Sequence, residues 1–111
     1  MTIESYGIII GDGLYSTIVA SSNGATQIVA ATPGKIIKVL SLQIIANAAV
    51  NVQWSGTNAG NITGLAYLAQ NGGLVLSHNQ LGWFQTSAGD ALSINLSSGV
   101  AVGGSLVYIL R

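Results

Sequence analysis

Charge is the scarcest resource in this chain. Its 111 residues include only three acidic and three basic side chains: Glu4, Asp12, Asp90, Lys35, Lys38 and Arg111. A typical soluble surface is roughly a quarter to a third charged. Here 50% of the residues are apolar, and the polar remainder is almost entirely Ser, Thr, Asn and Gln. With a net charge of zero there is no basic field to gather phosphates, which argues against nucleic acid as a partner. It also leaves little repulsion between copies, so self-association is favoured. The absence of cysteine rules out disulfides and thiolate metal sites. No apolar run approaches 18 residues, so no membrane-spanning helix is expected and no membrane is expected as a partner. The first ten residues, MTIESYGIII, have no basic n-region, which sets an expectation of synthesis in the cytoplasm of the producing cell.

Groups able to do chemistry are just as few. His78 is the only histidine. It sits in a polar connection and could in principle form a triad with Asp90 and a serine. However, triads are defined by geometry, and no Gly-x-Ser-x-Gly elbow occurs. Asp12 among glycines reads as a turn former. Lys35 after Gly34 lacks the rest of a phosphate-binding loop. The sequons at Asn61 and Asn95 are expected to be idle. No catalytic residue, metal site or cofactor is therefore expected, and the chain reads as a non-enzyme.

What the sequence does contain is a period of two. Leu92, Ile94 and Leu96 alternate with Ser93, Asn95 and Ser97, and Val50, Val52 and Trp54 alternate with Asn51, Gln53 and Ser55. Each pattern gives a strand with one apolar and one neutral polar face, and it places Trp54 in the core. Residues 36–46 and 106–110 are apolar at both phases, which predicts strands covered on both faces. Turn signals at Asn23-Gly24, Pro33-Gly34, residues 58–64, Asn71-Gly72-Gly73, Gly89-Asp90, Ser98-Gly99 and Gly103-Gly104 separate short runs. The candidate strands are about 3–10, 14–20, 26–31, 36–46, 49–55, 64–69, 74–77, 82–86, 91–97 and 101–110. No helical period lies between them. The fold class expected is all-β, an antiparallel sandwich of about eight strands with essentially no helix. Residues 14–111 form its single domain, and residues 1–13 are either a first strand or an arm.

Two groups of residues point outward. Ile3 and the run Ile8, Ile9 and Ile10 would lie in that arm, touching a neighbouring subunit or a larger surface. Trp83 and Phe84 are adjacent, so a strand sends them to opposite faces. One of them, with Leu81 beside it, is expected at an oligomer interface. Aromatic rings among Asn and Gln also leave open a carbohydrate- or receptor-binding module such as a fibre tip, provided two or three rings are exposed side by side.

Four blocks carry a family likeness: Leu65-Ala66-Tyr67-Leu68-Ala69-Gln70-Asn71-Gly72-Gly73, Gly82-Trp83-Phe84-Gln85-Thr86, residues 88–96, and residues 100–108. In this order, over about residues 35–111, the chain resembles small structural proteins of tailed bacteriophages, of the capsid cement or decoration type. The resemblance implies a jelly-roll-like β fold and a homotrimer on the outer capsid surface of the virion, clamping copies of the major capsid protein. It implies no catalytic residues. A head-fibre base or a tail component is the other virion role such a chain would fit.

Overall fold

The computed structural model describes residues 13–111. The segment holding Ile3, Ile8, Ile9 and Ile10 lies outside the described residues, as does the candidate strand at 3–10. Ten strands follow: β1 (Leu14–Ala20), β2 (Gly24–Val29), β3 (Ile37–Ala46), β4 (Val50–Gly56), β5 (Gly60–Asn61), β6 (Ala66–Leu68), β7 (Gly73–Leu76), β8 (Phe84–Gln85), β9 (Leu92–Leu96) and β10 (Val102–Leu110). No helix occurs among the described residues.

All pairings are antiparallel and build two five-stranded sheets. Sheet A runs β1-β10-β3-β7, with β8 continuing the β7 edge beside β3. Sheet B runs β2-β9-β4, with β5 and β6 sharing the outer side of β4. β1 to β4 alternate between the sheets, β4 and β6 pair within sheet B, and β7, β9 and β10 alternate again, so the chain wraps both layers in the double-Greek-key order of a jelly roll. The eight longer strands answer to expected ones, and β8 falls within the candidate at 82–86. β5 and β8 are two-residue ladders, and β5 forms inside the 58–64 segment that reads as a loop.

The alternating strands behave as their period demands. Leu92, Ile94 and Leu96 of β9 and Val50, Val52 and Trp54 of β4 are buried, and the residues between them are half-exposed. They face Ile18, Ile37, Val39, Leu42, Ile44 and Leu106 across one continuous core. At about 1.5–3 kcal/mol per fully buried large aliphatic side chain, this interior is the main source of stability.

β3 departs from expectation, and a bulge explains why. Tyr108 pairs with Val39 and Val107 with Ser41, which leaves Leu40 as an extra residue in β3. A bulge of this kind flips the phase of the strand. Ile37 and Val39 point inward before it, and Leu42, Ile44 and Ala46 point inward after it. Much of the apolarity at both phases is therefore one buried face read through a frame shift. The remainder is divided: Leu40 and, on β10, Ile109 are buried outside the main core, while Ile45 is exposed.

The sandwich is closed on one side and open on the other. Where β1 crosses to β2, the Ser16 hydroxyl donates to the Ile28 carbonyl across the two sheets at 2.9 Å. On the far side, β6 and β7 are joined through residues 69–72, and a cleft enters between the sheet edges.

Candidate contact surfaces

The register lines up the outer face of sheet A in rows. Val19, Gly103, Ile45 and Gly73 form one row, Thr17, Ser105, Gln43 and Val75 the next, and Tyr15, Val107 and Ser41 a third. None is charged. Tyr15 (83%), Val75 (74%), Val19 (70%) and Ile45 (62%) are well exposed. Gly103 and Ser105 on β10 are small and lie between larger neighbours on β1 and β3, so the face is ridged. Two shallow grooves of about 210 and 130 Å³ run over it beside Gln43, Val75, Gly103 and Ser105. Apolar groups fixed in this way on a rigid sheet lose little side-chain entropy when another surface covers them.

Sheet B presents the opposite chemistry. Its outer rows are Gln27, Ser93, Ser55 and Asn61, then Ala25, Asn95 and Gln53. These groups bond among themselves. Asn95 Nδ2 donates to Ser55 Oγ at 3.0 Å, and Gln53 Nε2 donates to the Thr63 carbonyl at 2.8 Å. Tyr67 stands exposed at the rim of this face.

Leu81, Trp83 and Phe84 lie on or beside the loop at 77–83, along the β3 edge. Asn79 N–H donates to the Leu40 carbonyl and Trp83 N–H to the Val39 carbonyl, so the loop is tied down at both ends. The Asn79 side chain accepts from Leu81 N–H at 3.0 Å. This geometry holds Leu81 out at 79% exposure, with Trp83 at 45%. Phe84 turns inward and packs 5.7 Å from the Trp54 ring at a 31° tilt. The adjacent aromatics thus part as the strand period predicts, with Trp83 outside and Phe84 at the core edge. The exposed rings do not form a platform: Trp83 lies on the sheet A edge, Tyr67 on sheet B, and Trp54 is buried.

His78 is exposed in the same loop, while Asp90 is completely buried. Asp90 Oδ1 accepts from Asn58 N–H at 3.0 Å and from Asn58 Nδ2 at 2.8 Å, and Oδ2 accepts from Ala59 N–H at 2.9 Å. None of these bonds comes from His78, and every donor is neutral. Burial raises the Asp90 pKa. Hydrogen bonds from the Ala59 and Asn58 backbone, the Asn58 side chain and the Ser87 backbone outweigh it, so the carboxyl stays below the ordinary aspartate value. Asp90 therefore works as a clasp on the turn between β4 and β5. Sequence reasoning reads it as part of a turn or as a candidate triad partner of His78, not as a clasp. Its donors lie 31 and 32 positions away, and no local signal reveals them.

Among the described residues, no three of His, Cys, Asp and Glu gather where they could hold a metal ion. The four described charges crowd one end of the sandwich. Gly89 N–H bonds the Lys35 carbonyl, Arg111 pairs with Ile36, and Lys38 lies opposite Gln85. The turns at the other end, 21–23, 47–49, 70–72 and 97–101, are uncharged.

No protein-family model, curated protein or solved structure matches this chain.

Proposed function

We propose that this protein is a non-enzymatic structural subunit, a decoration protein that sits as a homotrimer on the outer surface of a bacteriophage capsid and reinforces contacts between its capsomers. The observation that carries this reading is the outer face of sheet A: ridged, uncharged over its three rows from β1 to β7, lined by exposed Tyr15, Val19, Ile45 and Val75, with Lys38 the one charge it carries, toward the β8 end. Such a face is a liability on a solitary particle and marks a contact surface. The ordered likeness over residues 35–111 supplies the class of assembly.

The physics of the proposed role is mass action. A subunit that binds the closed shell and not its dissociated parts stabilises the shell by RT ln(1 + [L]/Kd), about 2.7 kcal/mol per site at a hundredfold excess over Kd. Apolar contact and strand pairing do the attaching, because six charges supply too few ion pairs. A standard interface covers about 800 Å² per partner. The outer face of sheet A, with Leu81 and Trp83 at its edge, is the surface offered for it. Ile3, Ile8, Ile9 and Ile10 would add an arm contact to the neighbouring copy or to the major capsid protein.

Two measurements test this. Sedimentation at micromolar concentration is expected to give a trimer, and a stable monomer counts against the proposal. Purified protein added to expanded capsids that lack it should decorate the shell and raise its melting temperature. Capsids left bare, or a particle found in the tail, would overturn it.

A further inference from the structure

The cleft on the open side of the sandwich has a feature that capsid attachment does not use. Trp54 is only 2% exposed, yet its indole N–H has no hydrogen-bond partner. A buried donor left without an acceptor costs about 1–3 kcal/mol, so native folds rarely leave one in place. Trp54 lines a cleft of about 220 Å³ together with Thr63, Gly64, Leu74, Trp83 and Phe84, and no lining side chain is charged. The Thr63 hydroxyl accepts from the Trp54 backbone N–H at 3.1 Å and donates to the Gly64 carbonyl at 3.0 Å. One lone pair on that oxygen remains free.

Beside the cleft runs an open sheet edge. β7 is the outermost strand of its path in sheet A. An antiparallel edge strand turns the N–H and C=O of every second residue away from the sheet. Just past its end, Trp83 Nε1 caps the Ser77 carbonyl at 2.8 Å. Among the described residues, only β3 pairs with Gly73–Leu76. Leu74 and Leu76 of this edge face inward over the cleft. A strand added here would send its own inward side chains into the same layer.

We propose that this edge and cleft together receive an extended, uncharged peptide strand from a partner. The strand pairs with β7, and one inward side chain enters the cleft with an aliphatic stem and a neutral oxygen acceptor, as in glutamine. Its carbonyl accepts the Trp54 indole N–H, and its amide donates to the free lone pair of the Thr63 hydroxyl. Main-chain pairing supplies affinity and the cleft supplies selectivity. A charged side chain is rejected because no counter-charge lines the cleft. A purely aliphatic one fills the space but leaves the donor orphaned. This inference stands apart from the capsid reading and survives its failure.

The two tryptophans give two indole signals in a nitrogen-15 NMR spectrum of the whole chain. The probe is acetyl-Thr-Val-Gln-Val-Thr-amide at up to millimolar concentration. The expected result is a downfield move of the Trp54 indole proton together with shifts of the β7 backbone amides. The analogue with Glu at the centre should bind at least tenfold more weakly. In Gly64→Leu the new side chain enters open space from an ordinary backbone conformation, so the variant should fold and weaken the peptide at least tenfold. A Trp54 indole that stays in place overturns the proposal, as does equal binding of the Glu analogue. Propionamide alone is the second probe. If it reproduces the indole shift while the peptide leaves the β7 amides unmoved, the cleft takes small amides and the strand proposal falls.

Discussion

The two sheets share a core and differ in what they show to the outside. Sheet B turns out amides and hydroxyls that bond one another, Asn95 to Ser55 and Gln53 to Thr63. Such a surface is already satisfied and gains little from a partner. Sheet A turns out Tyr15, Val19, Ile45 and Val75 around the small residues of β10, with no polar network of that kind. Water wets it at a cost, and covering it releases that cost. Chains with almost no charge are therefore not uniformly sticky. Neutral polar groups bonded to one another quiet one face, while the other keeps Tyr15, Val19, Ile45 and Val75 exposed among Thr17, Gln43 and Ser105.

The sharpest way to break this comparison is at the middle of each sheet. A Cβ at Gly104 in β10 would collide with the Gln43 carbonyl oxygen of β3. Gly104→Val is therefore expected to cost more than about 4 kcal/mol, read as a collapse of the urea midpoint. Asn95→Val in β9 removes one half-exposed hydrogen bond and should cost about 1 kcal/mol. Equal costs would mean that the two sheets are built to the same tolerance.

The next effect is on association. Ile45→Lys puts a charge in the exposed apolar row of sheet A and should weaken self-association at least tenfold by sedimentation, with monomer stability changed by no more than about 0.5 kcal/mol. Gln27→Lys on the outer face of sheet B should leave association unchanged. If both weaken it, the difference between the faces is not what drives assembly. Gly103→Leu is subtler. A side chain there meets nothing closer than the Ile18 carbonyl at 3.9 Å, so the fold should hold while the filled gap between ridges weakens association severalfold.

Much of this architecture is legible in the sequence, and the limits are physical. β4 and β9 are plain because a half-buried strand must alternate, and both do so without interruption. β3 misleads because one extra residue at Leu40 reverses its phase, and nothing in the local sequence marks a bulge. β5 is too short to carry a period, and of the candidate strand at 82–86 only Phe84–Gln85 pairs. The separation of Trp83 from Phe84 follows from adjacency alone. Which of the two faces outward depends on Trp54, thirty positions earlier, against which Phe84 packs. The unpaired Trp54 donor is invisible in sequence, because hydrogen-bond satisfaction is a property of the packed interior.

The smallest expected effect appears only in acid. Asp90 has a lower pKa folded than unfolded, so its carboxylate stabilises the fold above the unfolded value of about 4, and that stabilisation drains away as pH falls below it. Thermal melts between pH 6 and pH 3 should show the midpoint falling in the lower part of that range. Asp90→Asn should be less stable at neutral pH and show a shallower fall. An unchanged acid profile would mean that the turn between β4 and β5 is held by something other than this clasp.

The single hydroxyl that joins the sheets at Ser16 gives the molecule the mechanics of a book. Its spine lies where β1 passes into β2, and the pages part only along the fore-edge, between β6 and β7. Breathing motions that separate the layers are expected to begin there, so the margin proposed to admit a visitor is also the one from which the protein would begin to come undone.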